Sequence, residues 1–213
     1  VSAPIFVGSI FGSMAGGLNA ALTIYMQTYF WELGGDQIAL LTSAGLLGVI
    51  LALVIALPLS RAFGKKWTTL CLFSVTLAGI VIPVLLRLAG LFPVNGDPTL
   101  IPILFAFQAV VGMSVVAAAI LTASMIADAT DQIQLTTGRQ SEGLLFSAAT
   151  FIGKTVSGMG VLVSGLLLAF VGFPDDAKPG AVEQTTINEL ALALTLATFV
   201  FTSAALIFMS FYP

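Results

Sequence analysis

The chain has 213 residues, 58% hydrophobic and only 8% charged, with a formal net charge of −3 and no histidine. Soluble domains carry about 25% charged residues, so this composition excludes an ordinary soluble fold and predicts an integral membrane protein. There is no basic run to meet nucleic acid or anionic lipid. The single cysteine, Cys71, leaves no disulfide framework and no Cys/His metal site, and as a small apolar side chain it is expected to be buried.

A spanning helix needs roughly 20 apolar residues. Six stretches qualify, at about 4–31, 37–60, 67–90, 99–127, 143–171 and 190–211. The expected fold class is therefore an all-α membrane protein, with six transmembrane helices in a single bundle over 1–213. The first stretch runs uncharged from Val1 to Trp31. It has no basic leader and is too long for a signal-peptide core, so it reads as a spanning helix. Because the chain opens on valine, an upstream portion is expected. Gly8, Gly12 and Gly16 recur every fourth residue and continue to Ala20, a ridge suited to close helix packing. Asn19, Thr23 and Gln27 recur with the same spacing, and three polar side chains in line either bond to neighbouring helices or line a cavity.

Helices two and three are joined by a short basic loop holding Arg61, Gly64, Lys65 and Lys66. Pro58, Pro83 and Pro102 fall within or near helix ends, where freed carbonyls can be satisfied by neighbours. After the fourth helix comes a polar stretch with Asp128, Asp131, Arg139 and Glu142, read as a solvated loop whose carboxylates are also able to pair with Arg139 or with basic groups elsewhere. Such pairs break and re-form when a transporter changes its facing.

The fifth helix holds one charge, Lys154, between Glu142 and Asp175. A mid-helix lysine costs roughly 2.5–3.5 kcal/mol on insertion scales and calls for a functional explanation. Ser147, Thr150, Ser157, Gly158 and Gly165 share its face with Phe151 and Val161, while Leu145, Ile152, Val156, Met159 and Val163 lie opposite. The small, polar face predicts a bundle interior or water-filled cavity, with the aliphatic face toward lipid, and places Lys154 at the centre of a transport pathway.

Basic residues set the orientation. Arg61, Lys65, Lys66 and Arg139 share a side with both termini, which the positive-inside rule places in the cytoplasm. Trp31 and Trp67 fall at helix ends, as interfacial anchors do. A six-helix unit with both ends on one side is able to hide an inverted three-plus-three repeat, though none is visible in the sequence.

The run Met125-Ile-Ala-Asp128-Ala-Thr-Asp131, then Thr137-Gly-Arg139-Gln-Ser-Glu142-Gly143, then Phe151-Ile-Gly-Lys154, resembles the glycoside–pentoside–hexuronide:cation symporters of the major facilitator superfamily. The basic loop also looks like the degenerate second copy of that superfamily's motif between helices two and three of each half. The resemblance implies the carboxyl-terminal six of twelve helices. It further implies a missing amino-terminal six-helix half and a multi-pass location in the plasma (inner) membrane. By the same resemblance, Lys154 lies near the cation and solute sites. Asn19, Thr23 and Gln27, from their shared face, and Thr150 and Ser157, from the face of Lys154, are further candidates along the pathway. Asp128, Asp131, Arg139 and Glu142 would take part in cytoplasmic gating, joined by Arg61, Lys65 and Lys66. The implied function is cation-coupled symport of sugars or related small solutes by alternating access. A coupling cation, Na+ or H+, is expected, with its carboxylate ligands in the other half, and no cofactor or resident metal. Gln132 and Gln134 depart from the family's tyrosine and acidic residue, and relatives on the same scaffold carry lysolipids.

Two other classes compete. A Schiff-base chromophore on Lys154 favours a nearby carboxylate, yet all ten carboxylates fall in predicted loops or helix ends. An intramembrane enzyme is left only a Ser–Lys dyad, with Ser147 or Ser157 beside Lys154. Membrane-helix serines usually pack or bond to backbone, so the expectation is a transporter and not an enzyme.

Overall fold

The computed structural model describes residues 3–137, 142–174 and 176–211. Within them are six long helices and no strand: α1 (Ala3–Tyr25, prolonged by a π-helical turn, Met26–Phe30), α2 (Gly35–Phe63), α3 (Lys65–Leu88), α4 (Leu100–Thr137), α5 (Glu142–Phe170) and α6 (Gln184–Ser210). All six are long and apolar enough to cross a membrane. With little hydrophobic drive between helices in lipid, close packing of small residues and buried polar contacts must hold such a bundle.

Helix starts and stops follow local chemistry. Gly64 separates α2 from α3 with φ +80°, a left-handed turn that only glycine adopts without strain. At the start of α4, Asp97 accepts hydrogen bonds from the Thr99 hydroxyl at 2.6 Å and the Thr99 backbone N–H at 2.8 Å. Those bonds, the hydroxyl first, hold the Asp97 carboxyl below its usual range.

Two boundaries differ from expectation. α4 continues through Asp128 and Asp131 to Thr137, so both carboxylates stand on its last turns and not in a loop. Neither glycine nor proline interrupts residues 128–137, and a helix that continues past the apolar span satisfies its own backbone hydrogen bonds. α6 begins at Gln184, which puts Glu189 on an exposed helical surface instead of in the preceding loop.

The packing follows a simple rule. α1 lies against α5 and α6, α4 lies against α2 and α3, and α3 meets α6. Exchanging α1–α3 for α4–α6 leaves this pattern unchanged. Equivalent helices stand three places apart in the chain, and successive spans alternate in direction, so the second triplet is inverted relative to the first.

The tightest contacts repeat in register as well. A Cβ on Gly48 of α2 would lie 2.5 Å from the Ala109 carbonyl oxygen and 2.6 Å from the Met113 nitrogen, beside Gly112. A Cβ on Gly160 of α5 would meet the Met14 carbonyl and the Leu18 nitrogen, beside Gly17. One register shift carries Met14, Gly17 and Leu18 onto Ala109, Gly112 and Met113. Another carries Gly48 onto Gly160 and Gly45, which backs Gly112, onto Ser157, which backs Gly17. These matched clasps give the inverted repeat a residue-level basis, because both copies solve the same helix crossing with backbone on backbone.

Two side chains, Trp31 and Cys71, sit differently from expectation. Trp31 is buried, packed edge-on against Phe30 and tilted against Phe92, so it braces the bundle end instead of anchoring in lipid headgroups. Trp67 is 67% exposed, with the Lys66 ammonium 5.8 Å from its ring centre. Cys71 is exposed on α3, not buried. An outward apolar side chain on a spanning helix meets lipid, so the bundle does not need to cover it.

Candidate functional site

α1 and α4, the equivalent first helices of the two repeats, wall a cavity of about 800 Å³ backed by α3 and α6. Of the described residues, α2 contributes only Leu41, and α5 only Phe146 and Thr150. Among the described residues no ionisable side chain lines it. The polar lining consists of hydroxyls and amides, chiefly Asn19, Thr23, Gln27 and Gln108. Much of the remaining wall is apolar, including Phe73, Phe107, Val111 and Phe146. Neutral amides and hydroxyls offer directional hydrogen bonds without the desolvation cost of a buried charge, so this surface suits an uncharged polar solute.

Of the polar trio on α1, all three members line the cavity, and Asn19 also bonds to a neighbouring helix. The Asn19 Nδ2 donates to the Ala15 carbonyl at 2.8 Å and to Thr198 Oγ1 on α6 at 3.0 Å. The Thr23 hydroxyl donates to the Asn19 carbonyl at 2.6 Å. Gln27 lies on the π-helical turn, a wider winding that is frequent at functional sites. Loops brace that turn from two sides. Asn95 Nδ2 donates to the Phe30 carbonyl at 3.2 Å, and the Tyr29 hydroxyl donates to the Ala177 carbonyl at 3.0 Å.

Thr150 joins the lining, but Lys154 and Ser157 do not. Lys154 is exposed on α5, on a face with Phe151, Gly158, Val161 and Leu162 that none of the described residues covers. Val156, expected to face lipid, is instead buried where α5 crosses α1. The reason is the clasp: Gly17 and Gly160 draw α5 onto α1, and that contact fixes the rotation of α5 and turns Lys154 away from the cavity within this bundle. Ser157 lies at the same crossing, with its backbone against Gly17. Ser147 donates its hydroxyl to the Gly143 carbonyl at 2.6 Å, a backbone bond of the kind usual for helical serines.

At the basic end of the bundle, Lys65 Nζ and Asp128 Oδ2 form an ion pair at 2.6 Å that joins the start of α3 to the end of α4. Residues 63 positions apart are thus brought together. Asp131 and Arg61 are exposed nearby in sequence, and Lys66 leans toward Trp67. Arg139 and the side chain of Glu142 lie outside the described residues.

Sequence reasoning missed the backing helices. Phe73, Thr76, Gly79 and Ile80 of α3, with Leu194, Thr198 and Thr202 of α6, all line the cavity. Thr195, Thr198 and Thr202 interrupt the long apolar part of α6 and were the available signal. The glycine ridge was only partly a packing device: Gly8 sits under Met209, while Gly12 and Gly16 open onto the cavity.

No curated protein and no solved structure matches the chain. The family model described as MFS/sugar transport protein matches residues 4–213. With six apolar helices, an inverted repeat and a cavity between its equivalent first helices, the chain belongs to that family of membrane transporters.

Proposed function

We propose that the chain is the carboxyl-terminal half of a secondary active transporter that carries sugars or related neutral solutes, driven by Na+ or H+, by alternating access. The observation that carries this reading is the uncharged, hydrogen-bonding cavity between α1 and α4. The complementary wall would come from an amino-terminal six-helix half, which would also cover the open Lys154 face. Lys154 would there meet a carboxylate of that half, which removes the cost of leaving an ammonium toward lipid. Asn19, Thr23, Gln27 and Thr150 would hold the solute. Both termini would be cytoplasmic, in a plasma (inner) membrane, following the basic residues Arg61, Lys65 and Lys66.

Uptake of radiolabelled D-galactose, D-xylose and lysophosphatidylcholine into proteoliposomes of the full-length protein, under Na+ or H+ gradients, tests this reading. Gradient-driven accumulation of a sugar supports it. Uptake of lysophosphatidylcholine alone would select the amphiphile alternative, which the apolar wall of Phe73, Phe107, Val111 and Phe146 favours. For a transported sugar, Asn19→Ala and Gln27→Ala should each raise KM about tenfold, the worth of a lost hydrogen bond in a dry site. An unchanged KM in both variants would remove these residues from the pathway.

The Lys65–Asp128 pair would act as a gate strap at the cytoplasmic end. Both side chains are well exposed, so Asp128→Asn should cost less than about 1 kcal/mol of stability. Its main effect should fall on the inward/outward balance, read by cysteine accessibility from each side, and the charge-swapped double variant Lys65→Asp/Asp128→Lys should restore that balance. Equal facing populations in wild type and Asp128→Asn would count against a gate here.

A further inference from the structure

We infer that Thr198 is a positioning residue that turns Asn19 into an acceptor-only group, so that this level of the cavity recognises hydrogen-bond donors on its ligand. Three observations carry the inference. The Asn19 amide nitrogen is within 2.8 Å of the Ala15 carbonyl oxygen, which only accepts, so the amide orientation is fixed by chemistry and not by choice. Its second proton goes to Thr198 Oγ1 at 3.0 Å, and Thr198 is 1% exposed, locked inside the α1–α6 contact. Asn19 lines the cavity and is half-buried, which leaves Oδ1 as the amide atom free for a ligand.

One turn on, Thr23 repeats the arrangement. Its hydroxyl proton is spent on the Asn19 carbonyl at 2.6 Å, so its oxygen, too, is left with lone pairs only. Two successive cavity-facing positions on α1 therefore offer acceptors and no donors. A ligand group that donates, such as a solute hydroxyl, is favoured there, and a bare acceptor is disfavoured because it would face lone pairs. α6 thus sets the polarity of a surface presented by α1. The inference rests on reading the cavity as the solute pathway, but it is testable without knowing the solute.

Gly16 lines the cavity three residues before Asn19, and a Cβ there meets nothing within 4 Å. Gly16→Cys, in a cysteine-free version of the full-length protein, therefore makes a reporter thiol that fits. The probes are the trimethylammonium-ethyl and sulfonato-ethyl methanethiosulfonates, with each rate divided by that of a free thiol in water. The inference predicts a normalised cation-to-anion ratio above one that falls about fivefold in Thr198→Val, the worth of one oriented dipole. In an Asn19→Ala background, Thr198→Val should change nothing further.

A merely structural role for Thr198 would loosen the α1–α6 contact and speed both reagents alike, leaving the ratio unmoved. That result, or an equal fall in the ratio with Asn19 already removed, would overturn the inference. Failure of both reagents to react would overturn the cavity as a water-accessible pathway and the inference with it. Absence of sugar uptake alongside the predicted ratios would overturn only the sugar assignment.

Discussion

Lys154→Ala in the full-length protein is expected to abolish cation-driven accumulation, by about 100-fold or more, with expression and membrane insertion unchanged. The expected loss follows from the price of stranding one member of a pair in a dry site, about 3–5 kcal/mol. Lys154 stands on an open face of α5 beside Phe151, which is 72% exposed, and outside the cavity formed by this chain. A lysine there is costly against lipid by roughly 2.5–3.5 kcal/mol, so its removal should make insertion easier and not harder. The stranded partner carboxylate would destabilise the assembled protein as well, so thermal unfolding of Lys154→Ala in detergent is measured beside uptake. The coupling role stands on lost accumulation in protein that remains folded at the assay temperature. Gradient-driven accumulation at the wild-type level in Lys154→Ala would remove Lys154 from the coupling mechanism.

The second large effect is structural. Gly17→Ala or Gly160→Ala should destabilise the bundle by about 3 kcal/mol or more, because each new Cβ would overlap backbone of the facing helix, which is unable to rotate aside as a side chain does. By the repeat, Gly48→Ala should do the same on the α2–α4 side. Gly16→Ala is the control. It is one residue from Gly17, faces open space, and should be neutral or slightly stabilising, since alanine favours helix by about 1 kcal/mol. Thermal unfolding of the full-length variants in detergent would show the contrast. Equal midpoints for Gly16→Ala and Gly17→Ala would mean that the clasps do not hold the repeats together.

The number of helices and most of their limits were legible in the sequence, because spanning segments must be long, apolar and bounded by polar punctuation. What a segment does after leaving the membrane was less so. Residues 128–137 are mostly polar and carry no breaker, and nothing in their composition distinguishes a loop from a continued helix. The polar trio on α1 was readable as lining or bonding, and Asn19 does both. Lys154 shows where periodicity stops informing. Its helical face was read as small and polar and turned inward. The rotation of α5, however, depends on Gly17 and Gly160, a contact between residues far apart in the chain, and it leaves Lys154 beside the exposed Phe151, Val161 and Leu162. The same applies to Trp31, whose burial depends on Phe30 and on Phe92 from another connection. The cavity walls from α3 and α6 were hidden for the same reason, since hydroxyls such as Thr198 gain meaning only beside the helix that they face.

The most direct measurement is gradient-driven solute accumulation by the purified full-length protein in proteoliposomes, with the Na+ and H+ gradients imposed separately. A cation-coupled transporter with this neutral cavity should concentrate a sugar above its outside level under one of the two gradients and lose that accumulation when the gradient is collapsed. Sugar levels that never exceed simple equilibration under either gradient, in vesicles shown to hold their gradients, would contradict coupled transport through this cavity.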